Sequence, residues 1–100
     1  MIEINNYKVD IETLKLTKPN GQTIHVDDLP YKEHNLAEIL YTTQYIYEDY
    51  TEDYDLTEEQ CLEVAMTARE YMDDYNVSED DAIIEALNAH GIKEREEEDD

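Results

Sequence analysis

The chain has 100 residues, with 28 Asp and Glu against 7 Lys and Arg, for a formal net charge of −21. That is the length of a single domain, and the charge is far above the magnitude of about 2–8 that suffices to keep a small domain in solution. It excludes direct binding to nucleic acid, where cations must neutralise phosphates, and attraction to anionic membrane surfaces.

The charge is uneven. Residues 1–47 carry 7 acids and 4 lysines, net −3, whereas residues 48–100 carry net −18. Hydrophobic residues make up 40% of the chain and recur at helical spacing, which separates it from an acidic disordered segment. The lone cysteine, Cys61, cannot form an internal disulfide, so a reduced, intracellular setting is expected. The first ten residues lack the basic start and apolar run of a signal peptide. No segment has the length and apolarity of a membrane span.

In chain order, the first element is a β-hairpin. Tyr7, Val9 and Ile11 alternate as a strand does, and Ile11, Leu14, Leu16, Ile24 and Val26 flank the turn signal Lys18-Pro19-Asn20-Gly21. Proline presets one turn dihedral and Asn-Gly accepts positive φ. A hairpin alone is marginal in water, so it must pack on helices or pair with another sheet edge. Asp27-Asp28-Leu29-Pro30 then leads into a loop.

Three helices follow. The first runs over residues 35–50, with Leu36, Ile39, Leu40, Thr43, Ile46, Tyr47 and Tyr50 on one face. Glu38, Tyr41, Tyr45, Glu48 and Asp49 lie opposite. The second begins at Thr57-Glu58-Glu59-Gln60, a capping box in which Thr57 and Gln60 satisfy each other's free amides. Up to Tyr75 its apolar stripe is Cys61, Val64, Ala65, Ala68, Tyr71, Met72 and Tyr75, and the reverse side is Glu59, Glu63, Glu70, Asp73 and Asp74. The third opens at Ser78, with Glu79, Asp80 and Asp81 favoured by the helix dipole, buries Ala82, Ile83, Ala86 and Leu87, and closes at Gly91. The fold class is therefore α+β: an N-terminal hairpin packed on about three amphipathic helices. Residues 1–92 form one acidic domain, and residues 93–100 are expected to be a disordered acidic tail.

Catalytic and metal chemistry find little support. Asp49, Thr51, Asp53, Asp55 and Thr57 alternate like the opening of a calcium loop, but Tyr54 and Gln60 stand where that loop needs glycine and a bidentate glutamate. His25, His34, His90 and Cys61 lack zinc-ligand spacing. With only two glycines there is no phosphate-cradling loop. Cys61 falls on a core face, where a packed thiol is expected rather than a nucleophile. The expectation is a binding protein with no cofactor and no metal.

The acids suggest a partner instead. Glu59, Glu63, Glu70, Asp73 and Asp74 extend over about 22 Å at the helical rise, roughly six or seven base-pair steps of a duplex at about 3.4 Å each. Glu48, Asp49, Glu52, Asp53 and Asp55 continue the line at one end, and Glu79, Asp80, Asp81 and Glu85 form a second row. Such a surface complements the basic groove of a DNA-binding protein. All nine aromatic residues are tyrosines. Tyr47, Tyr50, Tyr71 and Tyr75 are expected in the core, whereas Tyr41 and Tyr45 on the polar face, Tyr54 among the acids, and Met66 within the acidic stripe are candidate contacts to a basic partner.

In acid-rich helices, interspersed tyrosines, length and acidic C-terminus, the chain resembles the DNA-mimic inhibitors of bacteriophages. That group includes anti-restriction proteins, some anti-CRISPR proteins and an inhibitor of the HU-type nucleoid protein. The resemblance covers roughly residues 41–100 and lies in composition and layout, without a shared motif. It implies competition with DNA for a basic host protein in the bacterial cytoplasm. The exposed hairpin edge further suggests a homodimer. Three alternatives stay open: an inhibitor of RNA polymerase or another enzyme acting through the hairpin or tyrosine face, an acidic chaperone of a basic protein, and a halophilic housekeeping domain.

Overall fold

The computed structural model describes residues 2–94. Within them a four-stranded antiparallel meander, β1 (Ile2–Ile4), β2 (Tyr7–Asp10), β3 (Lys15–Thr17) and β4 (Thr23–His25), precedes the helices. These are α1 (His34–Asp49), the single turn α2 (Thr51–Tyr54), α3 (Glu58–Tyr75) and α4 (Glu79–Ala89). The fold is α+β, with the N-terminal sheet packed against the helices. The acidic tail expected from residue 93 lies, from residue 95 onward, outside the described residues.

The sheet is one hairpin larger than the apolar pattern predicts. Asn5 and Asn6 both take positive φ, 50° and 69°, and join β1 to β2 as a two-residue turn with Ile4 opposite Tyr7. Paired left-handed residues match the twist of the strands they connect, and asparagine tolerates them best after glycine. Residues 11–14, expected to lie in a strand, instead form the turn between β2 and β3. Leu14 is left-handed at φ 57° although it is not glycine, a cost of about 1 kcal/mol. Its side chain is buried, and its carbonyl accepts the Val26 amide at 3.0 Å. The Gln44 side-chain amide of α1 donates to the carbonyls of both Ile11 and Glu12 at 3.1 Å, tying this turn to the helix. The predicted turn at residues 18–21 is present, with the Gly21 amide on the Lys18 carbonyl at 2.9 Å and Gly21 at φ 88°.

Strand periodicity then sorts the side chains. Ile2, Val9, Leu16 and Ile24 are successive cross-strand partners on the inner face. They form a core with Val26, Leu36 and Leu40, with Leu62 packed against it. On the outer face Glu3 stands opposite Lys8, and Asp10 opposite Lys15. Opposite charges in register stabilise a sheet by a few tenths of a kcal/mol per pair, and they leave this face near neutrality.

A second core lies between the helices. Ile46, Cys61, Val64, Ala65, Ala68, Ala82, Ile83, Ala86 and Leu87 are buried together. The small residues of α3 and α4 let these helices approach closely, and α1 covers them. Tyr47 packs against both cores and so joins sheet to bundle. The capping box at Thr57 has both its bonds, Thr57 N–H to Gln60 Oε1 at 2.9 Å and Gln60 N–H to Thr57 Oγ1 at 3.1 Å. Leu56, just before the cap, is buried with Cys61 one turn on, a hydrophobic staple fixing the entry angle of α3. Ser78 caps α4 through the Asp81 amide. At its far end the Ile92 amide bonds to the Leu87 carbonyl and the Gly91 amide to that of Asn88, with Gly91 left-handed. This is a Schellman closure. Among the described residues, every buried side-chain nitrogen and oxygen has a partner, and no helix is long and apolar enough to cross a membrane.

Thr57→Ala removes one side of the capping box and should lower the unfolding free energy by about 1 kcal/mol, read as a shifted urea midpoint with an unchanged slope.

Candidate interaction surface

The buried stripe of α3 dictates what its other side presents. With Cys61, Val64, Ala65 and Ala68 turned inward, Glu59, Glu63, Met66, Glu70, Asp73 and Asp74 are all exposed, with Met66 at 44%. The helix holds these carboxylates on a rigid rod about 22 Å long. Arg69, the one cation in α3, does not neutralise them. Its guanidinium turns toward α1, where Nη2 donates to Glu38 Oε2 at 2.5 Å. The other oxygen of Glu38 faces His34 Nε2 at 3.0 Å.

The second row is brought together less completely. Asp81 and Glu85 face outward on α4 beside Ile84. Glu79 and Asp80 serve the fold. Thr42, buried on α1, donates to Glu79 Oε2 at 3.2 Å. The phenols of Tyr45 and Tyr50 both donate to Asp80 Oδ1, at 2.6 and 2.8 Å, with their rings edge to face. These two hydrogen bonds hold the Asp80 carboxyl below the usual aspartate range. The same contact raises the Tyr45 phenol, and burial followed by the bond to Asp80 raises Tyr50. The trio clamps the first turn of α4 to α1.

Glu48, Asp49, Glu52 and Asp53 are exposed at the end of α1 and on α2. This segment is helical rather than an open loop. Asp55 closes it at φ 54°, its amide on the Thr51 carbonyl at 2.8 Å. The calcium-like alternation of residues 49–57 therefore spans two helix ends and a left-handed cap. His25 stands beside Asp27, His34 beside Glu38, and His90 beside Thr67, while Cys61 is buried and its thiol pushed up chiefly by desolvation.

The tyrosines are redistributed. Tyr41 remains outward, 44% exposed, with its hydroxyl on Asp27. Tyr45 is absorbed by Asp80, and half-buried Tyr54 leans on the ring of Tyr50 at 6.2 Å. Tyr75, expected in the core, is instead 67% exposed, with its ring 5.7 Å from that of Tyr71. It is the last residue of α3, where the helix runs out before the turn into α4. Tyr31 is 93% exposed. It lies outside any periodic segment, in a short 3-10 turn after Pro30, so no spacing signal marks it.

Comparison with known proteins finds no matching family model, no matching curated protein and no matching solved structure.

In an NMR titration Asp80 should protonate below the ordinary aspartate value of about 3.9, and Tyr45→Phe with Tyr50→Phe should return it to that range. Because its folded value is depressed, its stabilising contribution is present above the unfolded value and lost as pH falls through the folded one. Asp80→Asn should therefore lower the melting temperature at neutral pH and narrow the gap to wild type in strong acid.

Proposed function

We propose that the protein is a binding protein rather than an enzyme, and that it acts as a DNA mimic. It occupies the basic DNA-binding surface of a host protein in the bacterial cytoplasm and blocks access to DNA. The observation that carries this reading is the exposed row Glu59, Glu63, Glu70, Asp73 and Asp74 on a capped helix whose only cation is turned away to Glu38. Fixed carboxylates at helical spacing can replace phosphates opposite lysines and arginines. Since the acids are already exposed, little desolvation precedes encounter, and attraction should speed association and fade with salt.

Within the row, Met66 offers an apolar contact between charges. Glu48, Asp49, Glu52, Asp53 and Asp55 extend the surface past α1, and Asp81 and Glu85 add a flank on α4. Glu79, Asp80, Tyr45 and Tyr54 act indirectly, by holding the helices that carry the others. A second reading, inhibition of an enzyme through a tyrosine-bearing face, draws on the exposure of Tyr31.

Captured from bacterial lysate on the immobilised chain, the partner should be released by added duplex DNA, and Glu63→Lys with Glu70→Lys and Asp74→Lys should abolish capture. A partner that stays bound while holding its own DNA would overturn mimicry, and capture indifferent to the triple reversal would favour the second reading. Salt should act in opposite directions on fold and complex. Raising it from about 50 to about 500 mM screens self-repulsion and should raise the melting temperature while weakening the complex.

A further inference from the structure

We propose that the groove between residues 26–31 and the first two turns of α1 seats an arginine side chain of the basic partner and supplies the selectivity that an acidic row alone lacks. This rests on the reading of the acidic surface as the binding face. A row of carboxylates attracts any cation, whereas discrimination needs a site with shape and a preferred donor geometry.

The groove has a volume of about 390 Å³, and Tyr31, His34 and Tyr41 are its aromatic lining. Its apolar lining comes from Val26, Leu29 and Ala37. Tyr31 and His34 stack with planes 15° apart and centroids separated by 6.2 Å. The backbone beneath them is fixed, the Glu33 amide bonding to the Pro30 carbonyl at 2.8 Å and the Leu29 amide to that of Val26 at 3.2 Å. Folding does not use the ring of Tyr31, which is almost wholly exposed on this rigid turn.

Carboxylates complete the site. Asp27 and Glu38 both line the groove. Asp27 is held by the Tyr41 hydroxyl, and Glu38 by Arg69 and His34. A carboxylate offers about four acceptor sites, so each can take a further donor. Glu38 already accepts a guanidinium from within the chain. A flat aromatic platform beside fixed carboxylates suits a guanidinium, which stacks by its face and donates by its edge. A lysine ammonium gains the charge but not the stacking. Lys32 does not line this groove; it borders a separate one with Tyr31, His34 and Asn35. Glu38 also lines the adjoining groove between α1 and α3, with Met66, Arg69, Glu70 and Asp73, and holds the Arg69 guanidinium there. A partner lying on the acidic row therefore reaches the aromatic groove past the Arg69–Glu38 pair, whose charges offset each other.

The test compares nona-arginine with nona-lysine, equal in charge, by calorimetry on the full chain at about 150 mM salt. Nona-arginine should bind about three- to fivefold more tightly and shift the ring resonances of Tyr31 and His34. Tyr31→Ala should reduce its affinity to the nona-lysine level, and Tyr31→Phe should preserve the difference. The triple reversal at Glu63, Glu70 and Asp74 should weaken both peptides alike. Equal binding of the two peptides, or an arginine preference that survives Tyr31→Ala, overturns the groove and leaves the acidic surface standing. Binding of neither peptide overturns both.

Discussion

Twenty-eight carboxylates on a hundred-residue chain repel one another, and every part of this structure is arranged around that repulsion. Apolar burial has to outweigh it, and the helical bundle does so with closely fitted small residues. Ala65 and Ala68 of α3 and Ala82 and Ala86 of α4 are fully buried together. Close approach brings backbone and side-chain atoms into dense contact, and it directs each helix's remaining residues outward. Most acids of α3 and α4 are thereby placed on outward faces, where water weakens their mutual repulsion.

Three of the cations are used locally. Lys8 and Lys15 face acids across the sheet, and Arg69 is drawn to Glu38 on a neighbouring helix. Each of these arrangements neutralises charge where elements meet and leaves the outer side of α3 uncompensated. Hydroxyl groups carry out the same task elsewhere. Tyr45 and Tyr50 on Asp80, Thr42 on Glu79 and Tyr7 on Glu33 hold carboxylates between elements without spending a cation. This gives the absence of phenylalanine and tryptophan a physical sense. A tyrosine beside an acid contributes both a ring to bury and a proton to donate; its phenol is raised by burial and then by Glu33 at Tyr7, and first by Asp80 at Tyr45.

On the proposed reading, the binding surface would grade from charge toward shape. At one end lies the α3 row, open and nonselective. Through Glu38 it continues into a groove lined by aromatic residues, where, on the proposed reading, recognition would depend on ring faces and fixed oxygens. Attraction at long range and selection at short range would then reside on contiguous parts of one face, each with its own dependence on salt.

The helices were legible in the sequence because capping and periodicity are local. Thr57, Gln60, Ser78 and Gly91 announce their roles within one turn, and the stripe Ala82, Ile83, Ala86 and Leu87 is buried as its spacing predicts. The outer face of α3 follows from the same rule. The strand pair at Asn5-Asn6 was also encoded locally, but in a dipeptide less distinctive than Asn-Gly and between strands of only three and four residues. What the tertiary structure alone decided is which polar groups remain outward. Asp80 and Tyr45 lie on solvent-facing spacings, yet each is claimed by the other across two helices. Tyr75 has a core spacing and yet is exposed, and the groove at Tyr31 exists only where a turn meets a helix. Periodicity assigns a side chain to a face of its own helix. Whether that face meets water or a neighbour depends on contacts between residues distant in the chain, which no local pattern contains.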